Sequence, residues 1–163
     1  MTTKSDYKEE EWNVLLKAPL AAGFYVITAD AHGLDMITET VKLANMVQRD
    51  PTPEDASELV QAIVADLVSI SRGQSSLTGA TLFEPERDAE RDVLIELLRQ
   101  AVRIVSWEAT PEETKAFKEW LLTAAMTTAK AAKEGSFLGV GGTRVTDLEK
   151  KALEELSDLL EVG

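Results

Sequence analysis

The chain has 163 residues, 44% of them hydrophobic, with 17 basic and 29 acidic side chains and a net charge of −12. This length is enough to bury one core, so we expect a single domain spanning residues 1–163. The absence of cysteine excludes disulfides and thiolate chemistry, and a lone histidine excludes a zinc site with two or three histidines. The negative charge argues against binding to nucleic acid or to anionic membranes, which requires clustered Lys and Arg.

The first residues carry no targeting signal that the sequence reveals. Residues 1–11 are polar and acidic, without the apolar segment of a secretory signal. The longest uncharged stretch near the start, 18–29, is shorter than the roughly 20 residues of a membrane-spanning helix. We therefore predict a cytoplasmic protein.

Helical periodicity dominates, and no segment alternates apolar and polar residues as a strand does. The pattern predicts an all-α fold, a bundle or an orthogonal array of about six helices. The first helix is expected to open near Asp6, because Asp6 and Glu9 have capping-box spacing, and to kink or restart at Pro19. Residues 18–29 are apolar on nearly all sides, which is typical of a buried central helix.

The next two helices are predicted from apolar periodicity and from start and stop residues. The second covers 34–47, and the third begins with Thr52 as N-cap and Pro53 in its first position. Gly73 is expected to end the third helix.

A connection rich in Gly, Ser and Thr, 74–83, follows and divides the chain into candidate halves 1–73 and 84–163. We expect it to be the most mobile segment. The first helix, the break at 30–33 and the second helix also resemble the fifth helix, the loop at 135–145 and the sixth. This similarity predicts a duplicated helix-loop-helix unit.

The fourth helix is predicted to start near Pro85. Acidic residues alternate with arginines over 84–92, and this pattern favours a solvated helix face with Arg–Glu pairs over a metal site.

The last two helices carry the clearest start signals in the chain. Thr110 with Glu113, and Thr146 with Glu149, have the spacing of capping boxes. The sixth helix is expected to bury an apolar stripe formed by Leu148, Ala152, Leu156 and Leu159 or Leu160.

The break after the first helix holds the best local cluster of metal-ligating residue types. Asp30, His32, Asp35 and Glu39 could bind a hard divalent cation through carboxylate oxygens, although their spacing differs from that of an EF-hand. The alternative is purely structural: Asp30 caps a turn, His32 is solvated, and the two later acids stabilise a helix N-terminus. The structural interpretation is the preferred one.

The stretch Ala29-Asp30-Ala31-His32-Gly33-Leu34-Asp35 with Glu39 resembles the helix break of tellurite-resistance TerB-like domains. The segment from Gly142 through Thr146 to Glu149 is similar to the same pattern. Two residues separate Asp30 from Gly33, and the second segment lacks the Asp, so this chain departs from the family's Ala-Asp-Gly turn. The resemblance implies an all-helical fold and divalent-metal binding at Asp30, Asp35 and Glu39. It implies no reaction.

A glycine-rich loop precedes the last predicted helix and includes Gly139, Gly141, Gly142, Thr143 and Arg144. Its backbone N–H groups and Arg144 could contact an anion or a partner. No Gly-Lys-Ser/Thr follows, so it is not a P-loop. The apolar residues within the loop favour a structural role in which it packs over the bundle.

Of the three tryptophans, Trp12 and Trp120 have core spacing, whereas Trp107 lies at a helix end beside polar residues and is expected to be the most exposed. Exposed aromatic residues are enriched at binding hot spots, but a place in the core is the preferred interpretation for the three as a set.

Two functions follow from these observations. The first is a non-enzymatic acidic helical module that binds a protein partner or a second copy of itself. The alternative is a TerB-like domain that binds a divalent metal or a small ligand at the acidic turn, 30–39. No nucleophile–base pair is visible, which argues against an enzyme, and no cofactor other than a divalent cation is predicted.

Overall fold

A computed structural model of the protein describes residues 1–29, 56–78, 82–135 and 146–162. Within these ranges the chain is helical and has no β-strand, which confirms the all-α class. The predicted second helix, 34–47, lies outside the described residues. The helices are α1 (Glu9–Ile27), α2 (Glu58–Ser71), the short α3 (Pro85–Asp88), α4 (Arg91–Glu108), α5 (Pro111–Gly135) and α6 (Asp147–Leu160).

Helix α1 is the centre of the fold. From residue 18 to residue 27 every side chain is buried, as the all-round apolar pattern predicts. It packs against α2, α4, α5 and α6, most extensively against α5 and α4. Each surrounding helix can therefore bury a single apolar stripe, and the buried residues of α1, α2, α4, α5 and α6 form one cluster.

The start of α1 differs from the prediction. Asp6 belongs to a preceding 3₁₀ turn, Lys4–Asp6, where its carboxylate accepts a hydrogen bond from the Thr3 N–H at 2.7 Å. The helix begins at Glu9. Lys8 is its N-cap, and the Lys8 N–H donates to the Glu11 carboxylate at 2.9 Å. A restart at Pro19 is also wrong, since α1 continues through this buried proline.

Helix α2 begins later than predicted. Ala56 and Ser57 are not helical, and the predicted cap at Thr52 and Pro53 lies outside the described residues. Ser57 is the N-cap, and its hydroxyl accepts a hydrogen bond from the Val60 N–H at 3.3 Å. The end agrees with the prediction: Gly73, with φ +67°, adopts the left-handed conformation that glycine tolerates best.

The connection predicted to be the most mobile is anchored in the core at its end. Leu82 and Phe83 are buried, and the Phe83 ring stacks on Phe24 with centroids 4.8 Å apart. The predicted solvated face of the fourth helix is wrong at Asp88. This side chain is buried and accepts a hydrogen bond from the Glu84 N–H at 2.8 Å. Residues 89–90 are not helical and separate the short α3 from α4.

The two capping boxes predicted for the last two helices are confirmed. Glu113 accepts from the Thr110 N–H at 3.1 Å, and Glu149 accepts from the Thr146 N–H at 2.8 Å. The predicted stripe of α6 is wrong at Leu148, which is 55% exposed. Leu148 lies in the first turn of α6, whereas the contacts with the core are made by later residues: Ala152, Leu156 and Leu160.

Candidate functional site

Both segments that the sequence singles out as sites lie outside the described residues. Asp30, His32, Asp35 and Glu39 fall in one gap, and the loop carrying Gly139, Gly141, Gly142, Thr143 and Arg144 falls in another. In the part of the chain that is described, no group of three or more His, Asp or Glu side chains could hold a metal ion. Among the described residues, the candidate site is formed by other side chains.

The most exposed aromatic residue of the described ranges is Trp107, at the C-terminal end of α4. It is 87% exposed, whereas Trp12 is 4% exposed and Trp120 is half-buried against Phe117. The expectation that Trp107 is the most exposed of the three is thus confirmed. An indole left in water contributes nothing to the core, so Trp107 has no evident role in stability.

Ser106, the residue before Trp107 in the chain, lines a cleft of about 630 Å³, which we call the corner cleft. The end of α4, the first turns of α5 and the end of α6 form its walls. Ligand sites commonly have volumes of about 300–1,000 Å³, so the cleft has room for a side chain or a small ligand. The residues that line it include Ser106, Ala109, Lys118, Glu119, Glu161 and Val162.

An ion pair crosses the corner cleft. The Lys118 Nζ lies 3.3 Å from the Glu161 carboxylate. The Lys118 side chain is only 14% exposed, whereas Glu161 is 82% exposed, so water competes strongly for the carboxylate. Glu161 caps α6 with φ 55°, and it is the one non-glycine residue with positive φ among those described.

The N-terminal residues brace the same corner. The Thr2 N–H and hydroxyl both donate to the buried Glu113 carboxylate, at 2.8 and 3.0 Å. Burial by itself raises the pKa of Glu113, but the hydrogen bonds from Thr2 and Thr110 outweigh it and hold the pKa below its ordinary value. The start of α5 is thereby fixed to the start of the chain.

Tyr7 lies close to this brace. Its hydroxyl is buried and has no hydrogen-bond partner among the described residues, and burial raises its pKa. A buried hydroxyl of this kind costs stability, since it has given up its hydrogen bonds to water.

At the other end of α1, Tyr25 joins three helices. Its hydroxyl accepts a hydrogen bond from Arg91 of α4 at 2.6 Å and donates one to Glu155 of α6 at 3.2 Å. Arg91 also pairs with Glu155, and its guanidinium carbon lies 4.5 Å from the centre of the Tyr25 ring. Burial raises the pKa of Tyr25, so the phenol is a weak acid and not a base at neutral pH.

A third polar cluster holds Trp12 against α2. The indole N–H donates to the Asp66 carboxylate at 2.9 Å, and the Lys4 ammonium lies 5.7 Å from the ring centroid. Lys4 and Asp66 also form an ion pair, with 2.5 Å between Nζ and the carboxylate. Lys4 and Asp66 together thus hold the Trp12 indole in place.

Sequence reasoning anticipated the exposure of Trp107 but missed the corner cleft. Lys118 and Glu161 are 43 residues apart, and no local spacing predicts that they meet. The two capping boxes were the available signal, because they indicate where α5 and α6 begin.

A scan against protein-family models, a search of curated proteins and a search of solved structures each gave no match. The TerB-like resemblance therefore stays a prediction that depends on residues 29–39 and 142–149. No helix in the described ranges is long and apolar enough to cross a membrane.

Proposed function

We propose that the protein is a non-enzymatic helical module that acts by binding a protein, either another chain or a second copy of itself. The contact surface is the corner formed by the end of α4 and the start of α5, with Trp107 at its centre. The observation that carries this proposal is the 87% exposure of Trp107, which follows Ser106 of the corner cleft in the chain.

The physical argument is that an exposed indole gains more from burial than any other side chain. Tryptophan carries a large apolar area with one polar N–H, and it is enriched among residues that dominate binding energy. Trp107 stands on a corner that is braced by the Thr2–Glu113 hydrogen bonds, so a partner meets a preorganised surface.

The charged residues around Trp107 also restrict which partner fits this surface. Glu108 and Glu112 are exposed beside Trp107, and one turn earlier in α4 Arg103 pairs with Glu96 at 2.9 Å. The surface thus presents charges of both signs around one aromatic residue. A protein with a pocket for an indole and a mixed or basic rim fits it best.

The finer features predicted from the sequence accompany this proposal. We propose a sixth long helix over 34–47, a duplicated helix-loop-helix unit and a cytoplasmic location, each supported by the sequence patterns alone. Binding of nucleic acid is not part of the proposal, because the net charge opposes it.

The test is photo-crosslinking in the native host. Benzoyl-phenylalanine is incorporated in place of Trp107 in one variant and in place of Leu148 in the other. Leu148 is the matched control, since it is also an exposed apolar residue of a helix end, 55% exposed at the start of α6. Irradiation followed by mass spectrometry identifies the crosslinked chain.

We expect a discrete protein adduct from position 107 and none from position 148. An adduct with a second copy of this chain and an adduct with another protein both support the proposal. Absence of an adduct at position 107, or equal adducts at both positions, contradicts it.

A further inference from the structure

We propose that the chain is processed between Met1 and Thr2, and that the α-ammonium group produced on Thr2 forms a buried ion pair with Glu113. The reaction is hydrolysis of one peptide bond by an aminopeptidase. Water gives its hydroxyl to the Met1 carbonyl carbon and a proton to the Thr2 nitrogen. At neutral pH the new carboxyl group of methionine loses its proton, and the Thr2 amine takes one up and becomes an ammonium group.

The fold holds Met1 and Thr2 very differently. Met1 is 88% exposed, whereas Thr2 is buried. Thr2 donates two hydrogen bonds to Glu113, at 2.8 Å from its backbone nitrogen and at 3.0 Å from its hydroxyl. The first residues of a domain are usually poorly ordered unless a contact ties them down. Here the tie begins at the Thr2 nitrogen, the atom that becomes the chain terminus when Met1 is removed.

The buried Glu113 carboxylate is suited to a cation. Among the described residues, its hydrogen bonds come from the Thr2 N–H, the Thr2 hydroxyl and the Thr110 N–H, which are all neutral donors. Buried carboxylates are normally paired with a positive group, and a charged donor makes a hydrogen bond roughly twice as strong as a neutral one. An ammonium group on the Thr2 nitrogen places that positive charge at a position already in contact with the carboxylate.

The surroundings of Tyr7 favour the same cation. Burial raises the pKa of the Tyr7 hydroxyl, the neighbouring Thr2 side chain lowers it, and the negative charges of Glu113 and Glu108 raise it again. Acids therefore predominate around this hydroxyl, which has no hydrogen-bond partner among the described residues. An ammonium group carries two more N–H donors than the amide it replaces, and donors are what the Tyr7 oxygen lacks.

The side chain of Thr2 is also compatible with the reaction. Methionine aminopeptidases accept a small side chain after the methionine that they release, and threonine is small. Because Thr2 is buried in the folded chain, the peptide bond must be cut before the N-terminal residues pack against α5. Processing therefore precedes formation of the ion pair.

One experiment determines where the chain begins in its native host. Intact mass spectrometry of the purified full chain, together with sequencing of its first peptide, identifies the first residue and any blocking group. We expect an unblocked chain that begins with Thr2. A chain that keeps Met1, that carries residues before Met1, or whose Thr2 amine is acetylated overturns the proposal.

A second experiment tests the ion pair by thermal unfolding at neutral pH. Two forms of the full chain are released from a cleavable tag, one beginning with Met1 and the other with Thr2. Each form is made as the wild type, as Glu113→Gln and as Glu112→Gln. Glu112 is the matched control, because it is exposed and precedes Glu113 in the first turn of α5. Glutamine keeps an oxygen that accepts the Thr110 N–H, so the start of α5 is preserved.

We expect the wild-type form that begins with Thr2 to unfold at a temperature at least about 3 °C higher than the form that begins with Met1. Glu112→Gln should keep this difference, and Glu113→Gln should remove most of it. Equal midpoints for the two wild-type forms, or a difference that Glu113→Gln keeps, overturn the ion pair. If Glu113→Gln does not fold, NMR titration of the wild-type Thr2 amine decides: a pKa above the ordinary value of about 7.7–8.0 is expected, and an ordinary value overturns the ion pair.

Discussion

The parts of the molecule around the two ends of α1 differ in how they use their polar and aromatic side chains. Near the C-terminal end, the Tyr25 hydroxyl, Arg91 and Glu155 all bond to one another, so these groups are engaged within the chain. Near the N-terminal end, the corner keeps Trp107 in water and holds Lys118 through an exposed carboxylate. Both ends are held by polar contacts within the chain, and the N-terminal end in addition leaves one large aromatic side chain, Trp107, in water.

The largest expected effect on stability is near the C-terminal end of α1. Phe24→Ala removes a ring that is 1% exposed and stacked on Phe83, so we expect a loss of about 3–5 kcal/mol in the free energy of unfolding. Urea denaturation measures it. A loss below about 1 kcal/mol would contradict the packing of Phe83 into the core.

The two buried tyrosines should respond differently to the loss of a hydroxyl. Tyr25→Phe breaks the hydrogen bonds to Arg91 and Glu155 and should cost about 1–2 kcal/mol. Tyr7→Phe removes a buried hydroxyl without a partner among the described residues, and should leave stability unchanged or raise it. Equal losses from the two substitutions would sink this distinction.

Acid should weaken the brace at the corner. The pKa of Glu113 is lowered on folding, so its carboxylate stabilises the fold above its ordinary pKa of 4.5. This contribution is lost as the pH falls from 4.5 through the lower folded value. Denaturant unfolding between neutral pH and pH 3 should therefore show a smaller decline for Glu113→Gln than for the wild type, and an identical decline refutes the role of this carboxylate.

The smallest effect on stability is expected at Trp107. Because the side chain is 87% exposed, Trp107→Ala should change the free energy of unfolding by no more than about 0.5 kcal/mol. Thermal and urea unfolding both measure this change. A loss as large as that of Phe24→Ala would show that the indole belongs to the core, and the proposed contact surface would fall with it.

The sequence predicted those parts of the fold that depend on local chemistry. The starts of α5 and α6 were found because Thr110 and Thr146 each have a glutamate three residues later. The predicted start at Asp6 failed because a competing local bond, from Thr3 to Asp6, closes a separate turn first. The predicted burial of Leu148 was wrong because periodicity does not show where the core ends along a helix.

The candidate site was only half predictable. Trp107 was expected to be exposed because it follows Ser106 and precedes Glu108 at a helix end. The corner cleft depends on where α6 ends relative to α5, which is a property of helix packing rather than of spacing. The acidic turn at 30–39 remains a sequence prediction of its own, tested by adding divalent cations to the wild type and to an Asp30→Ala, Asp35→Ala double variant during thermal unfolding.

The most direct test of the account is the accessibility of Trp107 to a neutral quencher such as acrylamide. The difference in fluorescence between the wild type and Trp107→Phe isolates this one indole, since Trp12 and Trp120 are common to both. We predict strong quenching in dilute solution and protection when the chain is concentrated or mixed with the protein crosslinked at position 107. Quenching that stays as strong in the concentrated sample and in the mixture as in dilute solution would contradict the claim that this corner is the protein's contact surface.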